Sequence, residues 1–461
     1  MVTLLDRSDR FVFKPMLYEL VNETMNDWEV APTFTELLAP TSIQFRRGSV
    51  ATVEPDDALP MRDGSVGSSG GGVVILDDGE RVEYDYLVVA VGTGTSDASV
   101  PGAKEHAIPL STLEDAKRLA AAMRHVSSTY SSGRGRVAVV GGGLAGVELA
   151  GVVAERLGDG ATVELLASTS GIMPGSPAGQ REAAARSLAA AGVVVREGVR
   201  ATRVGPSIAA TEAEDAAGMG TSSSAATSAS TSTSVSFTEG VGGAEEKRVE
   251  EKTEEYDVVC WAVGQRVESP EAWPFPTDER TKKILTDSTL RVSGHARVFA
   301  LGDVSSATAE AAAAAAAEAA AAESSAVSAR AAPPPAPALP STAQVAFQQA
   351  DYAAWNIWAS VEQRPLLPFK YQHLGDMMVL GKVDAAVALP VGDATIDGPL
   401  AALLRRAAYL YRMPTNEHRA KLATNWLQQG AQFAVDEGPG ILKKLGVPVP
   451  DFIFPNRQRE P

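Results

Sequence analysis

The stretch RVAVVGGGLAGVELAG (residues 136–151) decides how the chain is to be read. RVAVV is a short apolar run of strand type, and the turn behind it, Gly141-Gly142-Gly143-Leu144-Ala145-Gly146, satisfies GxGxxG. Each glycine has a physical task. Gly141 permits the tight turn, Gly143 lets the backbone approach a pyrophosphate, and Gly146 lets the following helix pack on the strand. From Val147 to Leu157 the apolar spacing is helical, and the N-terminus of that helix presents free N–H groups to phosphate charge. The next strand, TVELLA (162–167), puts Ala167 where an NAD-specific site carries Asp or Glu for the ribose 2′-hydroxyl. Without that carboxylate a 2′-phosphate is not repelled, so both NADPH and NADH are admitted, with Ser168 or Thr169 placed to bond the phosphate.

Working outward, REAAARSLAAAG (181–192) predicts a helix closed by glycine and VVVREG a third strand. Strands alternating with helices of this length predict an α/β fold with a doubly wound parallel sheet. The first residues, VTLLD, form a strand ending in Asp6, the profile of a second Rossmann strand whose carboxylate holds a ribose. Its Gly-rich partner belongs some way upstream, so a first βα unit is expected to be missing. EYDYLVVAVGTGT (83–95) and EYDVVCWAVGQ (255–265) are near-copies, each an acidic lead-in, a buried strand and a Gly turn, the second at Gly264. ARVFALGDV (296–304) is a further apolar strand, ending in Gly302-Asp303. Three stretches, 64–72, 209–234 and 305–340, are Gly/Ser-, Ala/Ser/Thr- or Ala/Pro-rich and are expected to be solvated insertions.

Composition narrows the function. The 461 residues are 45% apolar and 21% charged, which supplies a sizeable core and rules out overall disorder. Their net charge of −16 argues against binding nucleic acid. Cys260 is the single cysteine, so an internal disulfide, a cysteine-ligated iron–sulfur cluster and a CxxC pair are excluded. His106, His125, His295, His373 and His418 lack metal-ligand spacing, and no metal site is expected. No run of 18 apolar residues occurs. Redox work, if done here, falls to a bound cofactor.

Taken in order, FVFKPMLYEL (11–20), YDYLVVAVGT (84–93), VAVVGGGLAGVELAG (137–151), FALGDV (299–304), TAQVAFQQADYAAWN (342–356) and PFKYQHLGDMMVLGK (368–382) resemble the flavoproteins with two dinucleotide-binding domains. Within them the chain is most similar to the type II NAD(P)H:quinone oxidoreductases. The tail GPLAALLRRAAYLYRMPTNEHRAKLATNW (398–426) resembles the plant and algal plastid branch, associated with plastoquinone and demethylphylloquinone. The resemblance implies FAD as cofactor and NADPH or NADH as substrate. It implies an FAD-binding domain of residues 1–112 with 295–367, an NAD(P)H-binding domain of 113–294, and a C-terminal membrane-association or dimer segment of 368–461. Asp6 would hold the adenosine ribose and the Val50 backbone the adenine. Pro15 and Tyr18 would lie near the flavin ring, Thr93 and Gly94 by the pyrophosphate, and Gly302 and Asp303 by the ribityl chain or pyrophosphate. Val345 would stand with them at the start of the helix from Thr342. Glu148 would face the nicotinamide and relay protons. Gln344 and Gln348, four residues apart and so on one helix face, would bond the quinone. For Gln348 and Gln349 a solvated helix surface is the competing reading.

The tail also speaks for itself. Leu400, Leu403, Leu404, Ala407 and Tyr411 share one helical stripe, with Arg405, Arg406 and Arg412 off it. Local positive charge in an acidic chain fits a helix lying on anionic lipid; packing on the core or a homodimer interface is the rival. The expected partners are a membrane quinone and a lipid surface, and the address a chloroplast thylakoid or plastoglobule surface, with the mitochondrion as a second. The rival functions are a soluble NAD(P)H oxidase or ferredoxin-type reductase on the same fold, and a flavin-free, non-catalytic remnant. Disulfide reductases of this fold need a cysteine pair beside the flavin, which the chain lacks; Cys260 is expected to be a core thiol.

Overall fold

The computed structural model describes residues 1–56, 70–95, 100–130, 134–206, 232–241, 248–267, 273–306, 339–381, 384–389 and 394–436. The stretches 64–72, 209–234 and 305–340 lie largely outside them, as does the end of the tail.

β1 (Thr3–Asp6) runs parallel to β2 (Gln44–Arg47), with a 3-10 turn at Lys14–Met16 and the short helices α1 (Leu17–Val21), α2 (Asp27–Val30) and α3 (Phe34–Leu38) between them. β3 (Val50–Pro55), β4 (Gly72–Leu76) and β5 (Arg81–Tyr84) form an antiparallel sheet. β6 (Leu87–Val89) leads to β7 (Thr93–Thr95), α4 (Ala103–His106), β8 (Ile108–Pro109) and α5 (Leu113–Thr129). Thr112 caps α5, its hydroxyl accepting from the Asp115 N–H while the Asp115 carboxylate bonds back, which satisfies two N–H groups left over at any helix start.

The central sheet follows. β9 (Gly135–Val140), α6 (Leu144–Leu157), β10 (Ala161–Ala167), α7 (Ala178–Ala190) and β11 (Val194–Glu197) realise the predicted βαβ pattern. β12 (Val199–Pro206), β13 (Thr233–Val241) and β14 (Arg248–Tyr256) make an antiparallel meander, and β15 (Val258–Trp261) returns to the parallel sheet, whose order is β11-β10-β9-β15-β8. β15 is buried throughout, and Cys260 within it is fully buried, its thiol pushed up to about 12 by burial. The near-copies meet: β16 (Gln265–Val267) pairs antiparallel with β7, Gln265 opposite Thr95.

The domain limits read from the sequence need two corrections. β8 pairs with β15, so the parallel sheet takes in residues before the limit at 112. The sequence groups residues 273–294 with the second unit, but Phe275, Ile284 and Val292 bury themselves with Val89, Val298 and Ala300. They therefore pack with β17 (Val298–Ala300), which lies parallel to β6. The side chains decide this, because those apolar residues find their cover there.

The chain ends on α8 (Ala343–Val361), the antiparallel strands β18 (Asp376–Val379), β19 (Ala385–Ala388) and β20 (Thr395–Gly398), then α9 (Pro399–Arg412) and α10 (Asn416–Asp436). No helix among the described residues is long and apolar enough to cross a membrane.

Candidate functional site: a dinucleotide cradle and a buried polar cluster

The fingerprint glycines are each explained by a close approach or an open face. Gly141 has φ +123°, and a Cβ there would lie 2.6 Å from the Ala262 carbonyl oxygen. At Gly146 a Cβ would stand 1.8 Å from the Gly141 carbonyl oxygen, so no side chain is tolerated without moving the turn from the helix. Gly143 is the opposite case. Nothing lies within 4 Å of where its Cβ would be, and it is the N-cap of α6 with no side chain bonded to the first-turn N–H groups. That leaves an open cradle with donors at its floor, the form a pyrophosphate requires. Ala167 ends β10 against this turn; a Cβ on Gly142 would come within 2.5 Å of its own. Gly264 (φ +66°) forms the turn after β15.

Residues 13–19 tie this cradle to the rest of the site. The Lys14 Nζ donates to the Thr93 carbonyl oxygen at 3.5 Å, and the Thr93 hydroxyl donates to Asp303 Oδ2 at 3.3 Å. Gly302 (φ +71°) donates its N–H to Gln349 Oε1 at 2.6 Å, docking the end of β17 on the first turns of α8. Thr342 caps α8, accepting from the Val345 N–H at 3.4 Å. Asp6 accepts from the Ser8 N–H at 2.8 Å, and its carbonyl accepts from the Gly48 N–H at 3.0 Å, two residues before Val50. Gly92 (φ +70°), after β6 and before Gly94, has nothing within 4 Å of a Cβ position. Acidic strand ends beside open glycine turns suit a second, sugar- and phosphate-bearing group such as FAD.

Pro15 opens the 3-10 turn that delivers Tyr18 to the interior. There the Tyr18 hydroxyl bonds the Glu148 carboxylate, and the Val379 N–H donates to Glu148 Oε1 at 2.9 Å. Arg405 of α9 reaches into the same cluster, paired with Glu19 of α1 and with its guanidinium over the Tyr409 ring. Burial raises Glu148 to about 7, against the lowering pull of the Val379 N–H, Arg405 and Tyr18. Burial and the adjacent Glu148 hold the Tyr18 phenol well above its usual range, and burial puts Tyr409 at about 12. The sequence placed Tyr18 by the flavin and Glu148 by the nicotinamide. The structure bonds the two to each other, in a buried cluster that Arg405 of α9 joins.

Three sequence expectations change here. Gln344 and Gln348 do share a face of α8, but their amides are engaged. Gln344 Oε1 accepts from the Tyr371 hydroxyl at 2.7 Å and the Leu374 N–H at 3.0 Å, while its Nε2 donates to the Gly375 carbonyl at 2.9 Å. Gln348 bonds both the N–H and the carbonyl of Gln372, at 2.9 and 2.8 Å. Together they staple the 371–375 segment to the helix. Gln349 is not solvated surface: it is 1% exposed and spends its amide oxygen on Gly302. Arg405, expected among the charges flanking the apolar stripe, is 4% exposed and turned inward because buried Glu19 requires a cation. Sequence reasoning had no role for Glu19, Lys14, Tyr371, His373 or Tyr409, and the pattern of Arg405, Arg406 and Arg412 gave no signal that set Arg405 apart.

The stripe of α9 itself faces outward. Leu400, Leu403 and Tyr411 are 59%, 65% and 69% exposed, and Leu404 is exposed beside them. Arg406, Arg412 and Arg419 lie over the rings of Trp426, Phe347 and Tyr411. The inner side of α9 meets residues 13–19, with the rings of Phe13 and Tyr409 edge to face at 5.3 Å and Phe347 of α8 6.4 Å from Phe13.

Comparison with known proteins matches residues 1–321 to the family described as pyridine nucleotide-disulphide oxidoreductase. The alternative NAD(P)H-ubiquinone oxidoreductase C1, chloroplastic/mitochondrial, of Arabidopsis thaliana is 38% identical over 93% of this chain and 75% of its own length. The demethylphylloquinone reductase NdbB of Synechocystis is 33% identical over 92% of this chain and 88% of its own. Among solved structures, NDH2 from Plasmodium falciparum in complex with NADH superimposes with a TM-score of 0.68 at 15% identity, covering 93% of both chains, which speaks to the fold alone.

Proposed function

The chain belongs to the pyridine nucleotide-disulphide oxidoreductase family, among its type II NAD(P)H:quinone oxidoreductases, and on that premise we propose how its residues divide the work. It is an FAD-dependent NAD(P)H dehydrogenase that passes electrons to a quinone. Bound FAD supplies the two-electron carrier between nicotinamide and quinone. Asp6, Val50, Thr93, Gly94, Gly302, Asp303 and Val345 would hold it. Gly141, Gly143 and Gly146 bind the nicotinamide nucleotide's pyrophosphate, and Ala167 leaves room for a 2′-phosphate.

The observation that carries the division is the hub at residues 13–19. It touches the Thr93–Asp303 pair, the first turns of α8 and the buried Glu148, so nucleotide and acceptor sides meet on one short segment. Glu148, raised to about 7, holds a proton near neutrality that a solvated carboxylate would have lost. Gln344 and Gln348 act on the quinone by fixing the 371–375 wall of its pocket, not by bonding the ring while their amides are engaged. The acceptor is a membrane quinone of the plastoquinone, demethylphylloquinone or ubiquinone class. The exposed stripe of α9 lies on the lipid that carries it, at a plastid membrane; the chloroplastic/mitochondrial relative supports this address.

The test uses full-length protein loaded with FAD. The flavin bands should bleach with NADPH and return on adding a short-chain quinone under anaerobic conditions, and the protein should sediment with anionic vesicles. Bleaching followed by reoxidation only in air would favour the soluble oxidase. Failure to sediment at low salt would remove the lipid role of α9.

A further inference from the structure

A quinone needs two protons as well as two electrons, and the segment stapled to α8 carries a chain of proton-bearing groups that the roles above leave unused. Tyr371 has its ring packed beside the buried Leu290, Phe299, Ala353 and Phe369, and its hydroxyl points to Gln344 at 2.7 Å. His373 Nδ1 lies 3.3 Å from the same hydroxyl, and His373 Nε2 lies 3.7 Å from Asp376 Oδ2. Hydrogen counting orients the chain. The phenol has one proton and gives it to the Gln344 oxygen, so at the Tyr371–His373 contact the imidazole is the donor. His373 and Asp376 are both exposed, so the outer end opens on water while the inner end, Tyr371, is half-buried against α8.

We propose that Tyr371, His373 and Asp376 form the path along which protons reach the quinone pocket from bulk water. This rests on the quinone-reductase reading above. In each passage the Tyr371 O–H bond breaks as a quinone O–H bond forms, and the His373 Nδ1–H bond breaks as the Tyr371 O–H is restored. Water on the exposed side protonates Nε2, with Asp376 stabilising the charged ring, as Nδ1 gives up its proton; exchange with water then returns the remaining hydrogen to Nδ1 before the next passage. Two passages and two electrons from the reduced flavin convert quinone to quinol. Gln344 is a positioning residue in this scheme: it holds the Tyr371 hydroxyl at the pocket until an acceptor arrives.

Two measurements test the path. In histidine-labelled protein, the ¹⁵N signals of His373 should show Nδ1 protonated, and Tyr371→Phe should shift that signal; a bare Nδ1 overturns the donor direction and with it the path. In stopped flow, His373→Ala should slow reoxidation of the reduced enzyme by a short-chain quinone about a hundredfold, the scale of a lost general acid. Ferricyanide, which takes electrons without protons, should reoxidise the same variant at the wild-type rate, and added imidazole should restore the quinone rate. An unchanged quinone rate overturns the proposal. So does an equal loss with both acceptors and no imidazole rescue, which would make His373 a structural residue only. A wild-type enzyme that reduces ferricyanide but no quinone overturns the underlying reading itself, and is told apart because it needs no variant.

Discussion

Helices α6 and α9 meet at one buried cluster and are built as inverses. α6 hides nearly all of its length, valine, leucine and alanine together with one carboxylate, Glu148. α9 buries one guanidinium, Arg405, and leaves Leu400, Leu403, Leu404 and Tyr411 in the open. A helix in a water-soluble unit normally turns its apolar stripe inward and its charges outward. α6 can depart from that rule because β9, β10 and helices α1, α5 and α7 pack around it. α9 departs from it because the buried Glu19 needs a cation more than the leucines need protein, and the leucines are left exposed. A buried charge is expensive unless paired, whereas an exposed leucine costs little.

The largest expected effect comes from α9. Arg405→Met should strand Glu19 as an unpaired buried charge and lower stability by about 3–5 kcal/mol in urea unfolding. Adding Glu19→Gln should recover much of it, since the two residues form one unit. A single-variant cost below about 1 kcal/mol would mean that the pair is solvated and the inversion unreal.

The second test breaks the comparison from the α6 side. The folded Glu148 sits at about 7, above its ordinary value of 4.5, so the native state holds a proton that the unfolded chain releases. Its contribution is therefore fully present below 4.5 and is lost as pH rises through about 7. The loss should be on the order of 3 kcal/mol. Glu148→Gln should flatten this part of the stability profile between pH 5 and pH 8. An identical slope in wild type and variant would assign the dependence to other groups.

Smaller effects separate the nucleotide side from the quinone side. Ala167→Glu adds a ribose acceptor and repels a 2′-phosphate, so NADPH efficiency should fall relative to NADH by roughly 5–150-fold, about 1–3 kcal/mol. A constant ratio of kcat/KM values would take Ala167 away from the ribose. Gln348→Leu keeps α8 helical but drops both bonds to Gln372. Quinone reoxidation should then slow about tenfold while flavin bleaching by NADPH persists. Slower bleaching with normal reoxidation would reverse the assignment of α8 to the acceptor.

Much of this protein was legible without coordinates, and the legible part has a common character. The βαβ order around 136–197 follows from periodicity, because alternation of strand and helix is a property of neighbours in the chain. The glycine tasks at Gly141 and Gly146 follow from backbone sterics that any such turn imposes. Cys260 was read as a core thiol from the apolar residues on either side of it, and it is buried. What the chain alone did not determine was the destination of polar side chains whose partners lie far along it. Arg405 pairs with Glu19 across 386 positions, and Glu148 takes its backbone donor from 231 positions away. The amides of Gln344 and Gln348 were assigned by helix spacing to a ligand, and the fold spent them on its own backbone at 372–375. Residues 273–294 followed the same logic and joined the cluster that could bury Phe275, Ile284 and Val292. Local conformation is decided by a residue and its neighbours; the choice of partner for a buried charge, an amide or an apolar face is decided by whatever the finished packing brings within reach.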